Sequence, residues 1–168
     1  MFDSKFLKAG AVALIGLGIA FANSANASTA TADMSVSATV VASCSVSAGA
    51  LAFGSYSGTA VTSSAALSVT CTNDAPYTIA LGAGSGTDAT TSARLLTNAS
   101  DSSSTLSYGL YQDSSYATSW GDTTGTDTLA GTGTGAAQAI TVYGKIAADQ
   151  LTASTGSYSD TVVVTVNY

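Results

Sequence analysis

The sequence has no His and no Glu, a single Pro, two Cys, and only four basic residues against ten Asp. Without imidazole or Glu, the usual general bases, nucleophile activators and zinc ligands are missing, so catalysis is not expected. A net charge of −6 excludes a basic nucleic-acid surface. Disorder fits no better: disordered chains combine low hydrophobicity with high charge, whereas here 46% of residues are hydrophobic and 8% charged. What the chain does contain is 51 Ser or Thr and 17 Gly in 168 residues. Small, uncharged polar residues at that density read as one exported β domain.

The start reads as an export leader. Lys5 and Lys8 precede an uncharged apolar run over 9–22, too short for a comfortable membrane span. Ala25-Asn26-Ala27 then offers small residues where a signal peptidase reads, which predicts cleavage between Ala27 and Ser28 and a leader over 1–27. A permanent membrane anchor, the competing reading, is disfavoured by the run's length and that flank. Beyond residue 27, Arg94 and Lys145 stand against nine Asp, a net charge of −7. In an oxidising compartment Cys44 and Cys71 most simply form one intrachain disulfide, contributing about 3–4 kcal/mol through loop closure. The alternative is two buried free thiols; redox catalysis is weaker still, because the chain has no C-x-x-C.

After the leader, period-two alternation recurs between Gly, Ser, Thr, Asn and Asp clusters. Ala32, Met34, Val36, Ala38, Val40 and Ala42 alternate with polar residues, and Cys44 and Val46 continue the phase. Ala65, Leu67, Val69 and Cys71 form a second apolar face, which places both cysteines on the core side. Further strands are expected at 51–56, 77–81, 94–97, 106–112, 139–147 and 158–168, enough for a β-sandwich. In the last, Val162, Val164, Val166 and Tyr168 share one face, and the chain ends inside its best strand, an expected open edge. Segments 82–92 and 118–136 read as mobile surface loops.

Weaker motifs have plain explanations. The Asp-Gly clusters at 86–88 and 122–127 hint at calcium loops, but turn chemistry explains them equally and no metal is assigned. The glycine run over 131–135 is followed by no Lys and is not a phosphate loop. Tyr108, Tyr111, Tyr116 and Trp120 could form a sugar platform, although core and edge packing is the commoner use of such residues.

Ordered landmarks add a resemblance. Cys44-Ser45-Val46, Leu51-Ala52-Phe53-Gly54-Ser55-Tyr56, Val69-Thr70-Cys71 and Pro76-Tyr77-Thr78-Ile79 are followed by Leu106-Ser107-Tyr108-Gly109-Leu110-Tyr111, Trp120-Gly121-Asp122, Val142-Tyr143-Gly144-Lys145-Ile146 and the ending 156–168. Together, over 34–168, they resemble the spore coat protein U domain and, within it, the Csu-type subunits of archaic chaperone–usher pili. The resemblance implies an incomplete immunoglobulin-like β-sandwich that lacks its seventh strand and is completed by donor-strand complementation. It divides the exported chain into a donor segment over 28–43 and a pilin domain over 44–168. Ala32, Met34, Val36, Ala38 and Val40 would be donated, Val162, Val164 and Val166 would border the acceptor groove, and the Tyr168 carboxylate would anchor in a chaperone cleft. The implied partners are a periplasmic chaperone, an outer-membrane usher and neighbouring subunits in an open head-to-tail homopolymer. The implied role is a shaft subunit of a Gram-negative surface pilus serving attachment and biofilm formation, with no enzyme activity, cofactor, small-molecule substrate or nucleic acid. The other reading is a non-polymerising secreted or coat-associated carbohydrate-binding domain.

Overall fold

The computed structural model describes residues 27–168, so the expected leader lies, apart from Ala27, outside the described residues. Contacts divide the chain into a unit ending at Ala38 and a unit over Thr39–Tyr168. The described part of the first is exposed throughout and carries no secondary structure. The alternation expected to make a strand at 32–42 therefore forms no ladder here: Met34, Val36 and Val40 are 86%, 85% and 82% exposed. Alternation prepares a segment for a sheet, but the strand exists only once a partner supplies its hydrogen bonds.

The second unit is built from nine strands: β1 (Cys44–Ala48), β2 (Val61–Cys71), β3 (Pro76–Leu81), β4 (Arg94–Asn98), β5 (Thr105–Tyr111), β6 (Leu129–Thr132), β7 (Ala137–Ile146), β8 (Tyr158–Ser159) and β9 (Val164–Asn167). No helix occurs among the described residues. One sheet has the order β1-β2-β7-β5-β4-β8 and the other β6-β3-β9, all pairings antiparallel. Register follows the sequence pattern. Ala65 lies opposite Val142, Leu67 opposite Ile140 and Val69 opposite Gln138, which turns the apolar set of β2 and β7 to one side. Ile79 and Leu81 of β3, Leu106 and Leu110 of β5 and Ile146 of β7 complete the core between the sheets.

Cys44 and Cys71 face each other in the β1–β2 ladder and are disulfide-bonded across 4.1 Å between their Cα atoms. They form a non-hydrogen-bonded pair, the ladder position where opposite Cα atoms lie closest; the neighbouring Thr72 N–H donates to Ser43 O instead.

Three sequence expectations are corrected. Segment 51–56 is not a strand: Leu51, Phe53 and Tyr56 do pack on the core, but the backbone is held by side chains, Ser63 Oγ donating to Ala52 O and the Tyr56 hydroxyl to Ala147 O. The single strand expected at 158–168 is two, β8 in one sheet and β9 in the other, joined by a crossing at 160–163. Segment 118–136 is no mobile surface loop: it contains β6 and the fully buried Trp120, whose indole N–H donates to Ile79 O.

Candidate subunit-docking groove

The two sheets fail to close along one flank. β1 is the outermost strand of the six-stranded sheet and β9 of the three-stranded sheet. They lie alongside each other with no ladder between them, so the backbone edge of each is unpaired on that side. An apolar groove of about 340 Å3 opens at this seam, walled by Ala48, Leu51 and Phe53 on one side and by Val162 and Val164 on the other. Leu67, Leu110 and Val142 are among the residues beneath it. It runs on into a wider cleft of about 870 Å3 between segments 51–58 and 150–160, lined at its base by Leu96, Leu106 and Ile146. Leu51, Phe53, Leu96 and Asp160 belong to both.

Of the expected acceptor residues, Val162 and Val164 line the groove, and Val166 packs against the core while pairing with Ile79 in the β3–β9 ladder. Tyr168 follows β9 and is 62% exposed. The expected donor residues belong to the unpaired first segment, apart from Val40 just beyond it. Gly144 explains how the wall at 51–53 comes so close to the sheet: a Cβ there would lie 2.9 Å from both Leu51 Cδ2 and Phe53 Cζ.

Two polar centres brace the fold here, Asp160 lining the groove and Arg94 buried behind Leu81, and alternation assigned neither a role. Asp160 shares the inward phase of Val162 and Val164, so a carboxylate occupies an apolar position between the two halves of the groove. Its Oδ2 accepts from the Tyr108 hydroxyl at 2.7 Å. Its Oδ1 accepts from Ser85 N–H at 2.6 Å, Ser85 Oγ at 2.8 Å and Thr161 N–H at 2.7 Å. Burial pushes the Asp160 carboxyl up, but the bonds from Ser85, Tyr108 and Thr161 outweigh it and hold the carboxyl below its ordinary value. Burial, reinforced by Asp160, drives the Tyr108 hydroxyl far above the ordinary phenol range, so it stays a donor. These bonds tie the crossing at Asp160 both to Tyr108 of the six-stranded sheet and to Ser85, which follows β3 of the other sheet.

Arg94 is the second centre. Read from the sequence as one of two bases after the leader, it is fully buried. Its Nε donates to Gly82 O at 2.8 Å, Nη1 to Thr91 O at 2.7 Å, and Nη2 to Leu81 O and Trp120 O at 2.7 and 2.8 Å. Burial lowers its pKa, opposed by Tyr108 and by the carboxylates of Asp122, Asp160 and Asp127. The guanidinium thus gathers the end of β3, segment 82–92 and Trp120 around one cation. Its signal was available: Arg94 is in phase with the inward Leu96.

The four aromatics that could have formed a sugar platform are not assembled into one, and two of them have the commoner use, core packing. Tyr108 and Trp120 are core residues, while Tyr111 and Tyr116 pair edge to face elsewhere. At 122–127 the Asp127 carboxylate accepts from Thr123 N–H, the turn role.

Known proteins are similar to this chain in three respects. A model of the Spore Coat Protein U domain matches residues 30–165. Protein U of Myxococcus xanthus is 37% identical over 141 residues, which cover 74% of this chain and 77% of that protein. Among solved structures, the fold matches a chain of the CsuC–CsuE chaperone–tip adhesion subunit pre-assembly complex, from the archaic chaperone–usher Csu pili of Acinetobacter baumannii, with a TM-score of 0.59 at 20% identity. That match covers 77% of this chain and 41% of the other, so this chain spans less than half of its neighbour's length. Matched by the family model across nearly all of its described length, the chain belongs to the Spore Coat Protein U domain family.

Proposed function

We propose that the chain is a structural subunit of an archaic chaperone–usher pilus and polymerises by donor-strand exchange. The observation that carries this reading is the apolar groove at the unclosed seam between β1 and β9. A strand laid in the seam would satisfy unpaired backbone groups on both flanks and cover the groove with alternate side chains, the way strand addition obtains affinity and specificity together. Ala32, Met34, Val36, Ala38 and Val40 of a neighbouring copy are the proposed occupant. They have the required alternation and are exposed. Burying Met34, Val36 and Val40 alone would contribute roughly 1.5–3 kcal/mol each before ordering costs.

In this cycle the leader over 1–27 directs export and is removed at Ala27–Ser28. The Cys44–Cys71 bond closes in the periplasm, a chaperone holds the seam open and binds the Tyr168 carboxylate, and an outer-membrane usher exchanges the chaperone for the next subunit. The product is a surface fibre of a Gram-negative cell with a role in attachment and biofilm formation, structural rather than catalytic.

The test is thermal unfolding of the chain lacking residues 1–42, with and without a synthetic peptide spanning 32–43. A rise in Tm of several degrees with saturating peptide supports the reading. A truncated domain that is already stable and ignores the peptide refutes it and favours a non-polymerising, coat-associated domain.

A further inference from the structure

The outer face of the six-stranded sheet carries a second feature, built without the seam. Tyr111 at the end of β5 lies opposite Tyr143 of β7, and Lys145 of β7 lies between Gly109 of β5 and Thr62 of β2. A Cβ on Gly109 would meet the phenol end of Tyr111, 2.6 Å from its Oη. The Tyr111 ring therefore lies down over Gly109 toward Lys145. Tyr116 stands against it at an interplanar angle of 87°, with centroids 5.5 Å apart, and the Lys145 ammonium sits 5.5 Å from the Tyr116 centroid. The result is an aromatic floor, an aromatic wall at right angles to it, and a cation over the wall's ring.

The corner is held by design of the loop between β5 and Trp120. Tyr116 has φ of 58°, a left-handed conformation that a bulky side chain seldom adopts and that surrounding structure must enforce. The enforcement is visible. The Asp113 carboxylate accepts from Ser115 N–H at 2.9 Å and Thr118 N–H at 2.7 Å, and Gln112 N–H donates to Thr118 O at 2.9 Å. The Ser115 hydroxyl, which also donates to it, and then the Thr118 and Ala117 N–H groups hold that carboxylate below its ordinary value, so it stays ionised and keeps the loop.

We infer that this corner is a binding site for an acidic saccharide, a pyranose carrying a carboxylate. A flat phenol ring accepts the apolar face of a pyranose, and a perpendicular ring fixes which edge enters. The surrounding sheet face presents Thr62, Ser64 and Thr141, all exposed, to the sugar hydroxyls. Charge selects the acid. Arg94 is buried, so Lys145 is the accessible base among the described residues, on a surface otherwise carrying carboxylates. It is the point that receives an anion. The site rests on β2, β5 and β7 and is independent of the strand-exchange reading, so either can fail without the other.

The probe is a galacturonic acid tetrasaccharide, titrated into the exported chain by calorimetry, with its methyl ester as the uncharged control. Saturable binding is expected, at least about tenfold tighter for the acid than for the ester and weakening as salt is raised. Lys145→Gln should lower affinity for the acid about tenfold and leave the ester unchanged. Tyr116→Ala should abolish both, while Tyr116→Phe retains both. These side chains lie on an outer face, and unaltered Tm values verify that the variants fold. No saturation up to on the order of 10 mM acid, equal affinity for acid and ester, or Lys145→Gln binding like the parent would each overturn the assignment.

Discussion

Replacing Arg94 by Met keeps an unbranched stem of similar volume in the core and removes five N–H donors. Four carbonyls lose a partner. Those of Gly82 and Thr91 take part in only partly buried bonds and can be reached by water, so their loss is cheap. Those of Leu81 and Trp120 meet the guanidinium in buried bonds and cannot. An unsatisfied buried acceptor costs about 1–3 kcal/mol, so two give roughly 2–6 kcal/mol. Relief from burying a cation offsets part of this, which leaves an expected loss of about 3 kcal/mol. Against a domain stability of about 5–15 kcal/mol that is a large fraction. Urea unfolding followed by Trp120 fluorescence reads it directly: the midpoint should fall at unchanged m-value. Arg94→Lys should recover only part of the loss, because one ammonium with three donors cannot span four carbonyls fixed around a planar fork. A loss under about 1 kcal/mol for Arg94→Met would refute the reasoning, since water would then have replaced the guanidinium at both buried carbonyls.

Three further outcomes are expected. The double variant Cys44→Ser, Cys71→Ser should lose about 3–4 kcal/mol in the same assay, the entropy of a 27-residue separation closed by one bond; no difference between it and the parent would place the disulfide's effect elsewhere. Asp160 has its folded pKa held below the unfolded value, so it contributes stability above about pH 4 that is lost as pH falls through the folded pKa. Asp160→Asn should therefore be less stable than the parent at pH 7, and the gap should close toward pH 2 in a pH series of melting curves; a gap independent of pH would contradict the assignment. Gly144→Val should leave a folded chain, displace Leu51 and Phe53 at a cost of about 1–3 kcal/mol, and reduce capture of the 32–43 peptide as measured by its Tm increment.

Period-two patterning carried most of the fold. It located β2, β3, β4, β5 and β7 within a few residues, because each has an apolar face opposed by another such face across the core. It failed where burial and hydrogen bonding part company. Segment 51–56 alternates because its side chains pack inward, yet no strand pairs with it, and alternation cannot report a missing neighbour. At 158–168 the valines and Asp160 share one phase, and the carboxylate was the available sign that the run changes sheets there. β6 escaped notice because Gly131 and Thr132 lack bulk: the Tyr77 ring fills the space over Gly131, so the apolar surface is supplied by the partner strand. Trp120 sits among Ser, Thr and Gly with no local pattern, and its burial depends on Ile79, far away in sequence. The groove residues Val162 and Val164 were legible as an apolar face, whereas the wall formed by 48–53 follows from how two sheets meet.

The disulfide also has a mechanical meaning. The exposed segment leads through residues 39–43 into β1, whose first residue, Cys44, is bonded directly to Cys71 at the far end of β2. A pull on residues 32–43 therefore reaches a covalent bond before it reaches the β1–β2 hydrogen bonds that follow. β1 cannot be unzipped from this end one residue at a time. The tension passes instead into β2, which is paired along its length with β7, and there the bonds are loaded together along the strand direction. A single covalent link thus turns a peeling load into a shearing one.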